Sequence, residues 1–437
     1  MTRTGRLPQK LLAAALAFAA TLAVLAVTVR HGDHTRSAAA EAAFVPATSQ
    51  STDARIRSLQ TVVRGSPRNA EGYAALAQAY LQKVRESGDA SFYARADAVL
   101  ATALRLAPRN VAATVVSGEL ALARHNFASA LALARRARRL APDLVAPYPV
   151  LVDALIELGH YRQARPALQR WVDIKPNLSS YARVSYWREL HGDLPGAAAA
   201  LEAAISAGGD VAENGAYVQT LLGNIELQRG RLESAAQSYR AALERFADYV
   251  PAEAGLARLD AMRGRLTRAI AEYGAVVARL PLPEYVVGLA ETELGAGRRV
   301  AARRHLALIG AEERLLRANG VDTDVDLALY EASHGSPARA VVLGRRAWAA
   351  APSVRSADAL GWALTRAGQP AVGLRYARRA LRLGSRDAMF LFHAGVAARE
   401  AGRPDLARRW LRLALAGNPR FSPLYAPQAR RLLEGLR

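Results

Sequence analysis

One apolar run stands apart from the rest of the chain. Leu11 to Val29, LLAAALAFAATLAVLAVTV, carries no charge, with Arg3, Arg6 and Lys10 before it and Arg30 after it. Nineteen apolar residues approach the length that spans a bilayer and exceed most signal-peptide cores. Residues 1–30 are therefore expected to be a signal anchor or, with Val24-Leu25-Ala26 as a small-residue cleavage site, a cleaved signal peptide. Either form predicts export of everything after residue 30, tethered to the cell membrane on its extracytoplasmic side or secreted. Residues 31–50, HGDHTRSAAAEAAFVPATSQ, have the composition of a flexible linker.

Beyond residue 50 the apolar positions come in short, alanine-rich blocks punctuated by proline and glycine at a fixed interval. LRLAP ends at Pro108, RRLAP at Pro142 and VDIKP at Pro176, so these prolines stand 34 residues apart. Gly230 and Gly264 keep the same interval, as do Gly368 and Gly402, Tyr239 and Tyr273, and Ala380 and Ala414. That period is the length of two short antiparallel helices with their turns, stacked on the next pair. Small residues on both helices let the backbones approach closely. Glycine at the turn supplies the positive φ that ends the first helix, and proline after the second cannot continue it. The expected fold is all-α: a solenoid over residues 51–437 with about ten helix pairs between residues 70 and 419. A helix over 52–64 precedes the pairs, and a capping helix over 424–436 closes them. In such an array each unit touches only its neighbours, so damage is expected to stay local.

The landmarks also have an internal order. YAALAQAY (Tyr73 to Tyr80) leads one unit, and the turn is held by Gly159, Gly192, Gly230, Gly264, Gly297, Gly335, Gly368 and Gly402, with His125 in the second unit. Alanines follow in the second helix, including Ala96, Ala130, Ala164, Ala197, Ala235, Ala269, Ala302, Ala340 and Ala407, with Gly373 in the ninth unit. This order resembles the tetratricopeptide repeat, in the manner of exported or membrane-anchored bacterial members. The resemblance implies a superhelix whose first helices (A) line a concave groove and whose second helices (B) form the convex face. It also implies a non-catalytic protein–protein interaction scaffold, here of the cell envelope, holding a protein partner in the groove.

The remaining composition narrows the chemistry. There is no cysteine, which excludes thiolate metal sites and a Cys nucleophile. No phosphate-binding loop, dinucleotide fingerprint, zinc-protease helix or serine-hydrolase elbow is present, so no catalytic residue, cofactor or metal is assigned. Asp322-Thr323-Asp324-Val325-Asp326 begins like a calcium loop, but Leu327 replaces its glycine and Ser333 its closing glutamate, leaving an acidic helix start.

Net charge is +21, almost all from arginine, with lysine only at positions 10, 83 and 175. Arg135/Arg136, Arg345/Arg346 and Arg378/Arg379 recur at the same two helix B positions, an outward-facing stripe that is either a solvated face or a binder of anionic envelope polymer or lipid. Nucleic acid is not expected, because no aromatics interleave these arginines. The middle of each helix A reads Gln78, Glu119, Asp153, Tyr186, Asn224, Arg258, Glu291, Leu329, Trp362 and Val396. From these and their neighbours, Tyr186, Asn224, Arg258, Trp362, Arg366 and Phe392 are the expected groove contacts, since aromatics and arginine anchor interfaces. Relatives that grip acidic C-terminal tails use helix A lysines, and the array has only Lys83 and Lys175.

Overall fold

The computed structural model describes residues 51–209 and 211–436, which form an all-α solenoid of twenty-three helices. Helix α1 (Thr52–Gly65) leads into ten antiparallel pairs. The first three are α2/α3 (Ala70–Ser87, Ser91–Leu106), α4/α5 (Val111–Ala123, Phe127–Leu140) and α6/α7 (Pro147–Glu157, Tyr161–Ile174). Then come α8/α9 (Leu178–Leu190, Leu194–Ala207), α10/α11 (Ala212–Gln228, Leu232–Arg245) and α12/α13 (Val250–Met262, Leu266–Arg279). The seventh unit pairs α14 (Pro283–Gly295) with a broken second arm, α15 (Arg299–Leu306) and α16 (Ile309–Ala318). The last three are α17/α18 (Asp324–His334, Pro337–Ala350), α19/α20 (Val354–Arg366, Pro370–Ala380) and α21/α22 (Ala388–Glu400, Pro404–Gly417), closed by α23 (Tyr425–Glu434).

Local signals set these boundaries. Asn110 starts α4 by accepting from the Ala113 amide at 2.7 Å, and Asn177 with Ser180 makes a reciprocal capping box on α8. The first helix B alanine of nine repeats, from Ala96 to Ala407, is wholly buried at 0% exposure, which places the two arms in near-backbone contact. In the ninth repeat Gly373 brings them closer still, since a Cβ there would lie 2.3 Å from Thr365 Oγ1. The turn glycines of most repeats take a positive φ, as does His125 at 58°. Gly335 does not, at φ −122°, because the Glu331 carboxylate closes that turn by accepting from the Ser336 amide at 2.7 Å.

The superhelix winds so tightly that one turn rests on the next. The α2–α3 turn at Gly88 meets Leu280, just ahead of α14. The α4–α5 turn meets the approach to α17: Asp322 donates its amide to the Arg124 carbonyl at 3.0 Å, and Arg124 Nε donates to the Asn319 carbonyl at 3.0 Å. At the α6–α7 turn, Tyr161 Oη accepts from the Val354 amide at 2.9 Å, where α19 begins. Gly192 abuts Gly384 ahead of α21, and Asn418, ahead of α23, donates to the Leu227 carbonyl at 2.7 Å. The register is regular: the turn inside each of repeats one to five packs on the turn leading into the unit six places later. The equivalent glycines of later repeats, Gly264, Gly297, Gly368 and Gly402, have nothing within 4 Å of where a Cβ would be. The expectation that units touch only their neighbours is corrected by these contacts between turns.

The membrane tether is corrected too. Among the described residues no helix is long and apolar enough to cross a membrane; the longest, α2, carries Glu71, Lys83, Arg85 and Glu86. The N-terminal hydrophobic helix, signal and linker expected within residues 1–50 lie outside the described residues. The membrane partner, the export and the cell-envelope placement that rested on them are therefore withdrawn.

Candidate functional site

Because consecutive turns touch, the concave groove becomes a lumen. Three cavities of about 310, 330 and 440 Å³ lie along it, and Arg355 lines all three. The first superhelical turn contributes the middle and C-terminal parts of its helices A: Tyr186 and Glu189 from α8, Asn224 and Gln228 from α10, Arg258 from α12. The second turn contributes charged residues at its helix starts, Glu284 on α14, Asp326 on α17, Arg355 on α19 and Asp387 at the cap of α21, together with mid-helix Glu291 and Leu329. Carboxylates at these helix starts sit favourably with the helix dipole, and Asp387 accepts from the Met389 and Phe390 amides at 2.9 Å.

This change of lining separates the expected groove residues. Tyr186, Asn224 and Arg258 come together around the 310 Å³ cavity. Tyr186 donates its hydroxyl to Glu157 Oε1 at 2.9 Å, and Asn224 Oδ1 accepts from the Tyr239 hydroxyl at 2.7 Å. Trp362 and Phe392 are corrected: with 5% and 1% exposure they belong to the core. Trp362 stacks on His393 at 4.3 Å and donates Nε1–H to Ser333 Oγ at 2.9 Å, while Phe392 packs on Tyr425 at 5.2 Å. The capping helix covers this end of the array, so the middle of α19 and α21 has no groove to face. Arg366 is exposed, lying over the Trp362 ring at 5.4 Å and reaching back to the Ala332 carbonyl.

The lumen carboxylates are perturbed by enclosure and by each other. Enclosure, then the charge of Asp387, pushes Glu189 up to about 7, against the Gln228 amide that donates to it at 2.6 Å. Crowding by the surrounding protein, then the charge of Asp326, pushes Glu284 up to about 7, although the residue retains exposed surface. Next to the lumen, Asp153 and Arg183 form a buried bidentate pair, and Glu119 is buried beside Gln78 with its carboxyl pushed up to about 8 by desolvation.

All six stripe arginines, Arg135, Arg136, Arg345, Arg346, Arg378 and Arg379, are exposed on helices B. Several bind neighbouring repeats: Arg135 donates to Gln163 Oε1 and Arg136 to the Pro108 carbonyl. Arg346 grips both oxygens of Asp324 at 2.6 and 2.8 Å, and Arg379 lies over Trp348 and Tyr376. Arg317 holds Asp324 from the other side at 2.7 Å, so the acidic helix start is neutralised by arginine.

Fold and lumen define a repeat solenoid that encloses a run of cavities. The family model of the tetratricopeptide repeat matches residues 83–144, 191–250 and 359–423. Proteins of this fold act generally as protein–protein interaction scaffolds. No curated protein matches the chain. Among solved structures, a tetratricopeptide repeat protein from Parabacteroides merdae is 16% identical over 59% of this chain and 98% of its own, with a TM-score of 0.34. The tetratricopeptide domain of P58(IPK) is 16% identical over 87% and 93%, at 0.28. A human IFIT1 dimer with PPP-AAAA is 16% identical over 79% and 72%, at 0.36.

Proposed function

We propose that the chain is a non-catalytic scaffold that receives a segment of a partner protein in its lumen, against Tyr186, Asn224 and Arg258. The run of three cavities meeting at Arg355 supports this reading, because it is a concave space with few, convergent polar groups. Anion binding by the convex arginines is disfavoured, since Arg136 and Arg379 already hold neighbouring repeats and Arg346 grips Asp324 of its own repeat. Asn224→Trp fills the cavity without touching the outer face, so it is expected to abolish partner capture while leaving helicity intact. Capture unchanged by Asn224→Trp, but lost on Arg135→Ala with Arg378→Ala, would move the binding surface to the convex side.

A further inference from the structure

We infer that the occupant of the lumen is a basic peptide segment, whose lysine or arginine side chains meet the carboxylates of Glu189, Asp387, Glu284 and Asp326. This rests on the lumen being the binding surface, as proposed above. Charge is partitioned in an unusual way. The chain carries +21, with the repeated arginine pairs outside on helices B, yet acidic residues predominate along the lumen. Of the cations that line it, Arg183 is committed to Asp153 and Arg124 to Asp97 at 2.9 Å. Arg355 stands 3.9 Å from Asp326, which leaves Arg258 as the other guanidinium among the carboxylates.

Two further observations point to a missing donor. Gln228 gives its amide N–H to Glu189, but its own Oε1, buried beside the 310 Å³ cavity, meets no partner. In the lining of the 440 Å³ cavity the Tyr285 hydroxyl, on a side chain 6% exposed, also has none. An ammonium group carries three donors and no acceptor, and it also relieves the mutual repulsion of Glu189 with Asp387 and of Glu284 with Asp326. An acidic peptide or a nucleic acid would add to that repulsion. Cavities of this size take side chains of an extended segment rather than a folded domain.

The test uses the full chain with a compact aliphatic diazirine photocrosslinker at Asn224, too small to fill the cavity as tryptophan does, a control with the same group at Arg136, and a pool of random-sequence decapeptides. Peptides captured from Asn224 are expected to be enriched in lysine and arginine. Glu189→Gln with Glu284→Gln is expected to weaken a lysine-rich decapeptide about tenfold, and more salt should weaken it further. Capture from Asn224 without basic enrichment, or unchanged affinity in the double variant, would overturn the basic-segment inference while leaving the lumen as the binding surface. Capture from Asn224 no greater than from Arg136 would overturn both.

Discussion

Gly159 and Pro352 meet across the wall of the superhelix, 193 residues apart: a Cβ on Gly159 would lie 2.4 Å from the Pro352 carbonyl oxygen. Gly159 is thus required twice, once for its φ of +71° and once for the closeness of the next turn. Gly368 has nearly the same φ, +76°, but open space where a Cβ would go. Gly368→Ala should therefore cost only the left-handed penalty, about 1–2 kcal/mol. Gly159→Ala should cost that plus about 1–3 kcal/mol of overpacking. Denaturant unfolding of both variants measures the difference, and hydrogen exchange should rise at Val354 only in Gly159→Ala. Equal costs would mean that the turns do not press on each other in solution.

Glu119 makes stability depend on pH in a direction unusual for a carboxylate. Its folded pKa, about 8, stands above the ordinary 4.5, so the folded state holds a proton that the unfolded state releases. The group therefore costs little below pH 4.5 and progressively more as pH rises toward 8. Glu119→Gln should stabilise the protein on the order of 3 kcal/mol more at pH 8 than at pH 5. A gain of the same size at both values would remove the buried carboxyl as its cause.

The Asp153–Arg183 pair should behave as a unit. Removing Asp153 alone strands a guanidinium that is 4% exposed, and Asp153→Ala should cost about 3–5 kcal/mol. Asp153→Leu combined with Arg183→Met should recover most of that loss. A double-mutant cycle with no coupling would show that the two side chains do not depend on each other.

Trp362 and Arg135 should separate core from wet surface. Trp362→Ala removes a ring packed on His393 and Phe392 and should cost about 3–5 kcal/mol. Arg135→Ala should change stability by no more than about 0.5 kcal/mol, since its one bond, to Gln163, is exposed. A Trp362→Ala variant of near-normal stability that had lost partner capture would return that residue to the binding surface.

The helix pairs were legible because their cause is local: Gly159 or Gly264 ends a helix by its own φ, and Ala96 or Ala269 is small wherever two arms cross. Closure of the lumen was not. Gly159 and Gly368 look alike in sequence, and whether a turn is covered depends on small rotations summed over six repeats. The Trp362 assignment failed for the same reason: mid-helix Asn224 and Arg258 line the cavities, whereas mid-helix Trp362 is packed into the core that includes the capping helix. One signal was present in the sequence: the mid-helix ladder is mostly polar from Gln78 to Glu291 and apolar at Leu329, Trp362 and Val396, where the array is covered. Arg355 and Asp387 gave no such sign, because they reach the lumen from helix starts.

The contact of Tyr161 with Val354 also sets a timetable for synthesis. The two are 193 residues apart in the chain, so the first superhelical turn leaves the ribosome with its docking edge bare. At ordinary rates of translation roughly 10–40 s pass before its partner strip emerges. During that interval the nascent protein displays glycine turns shaped to receive another part of itself, and the same part of a neighbouring nascent chain would fit them equally well.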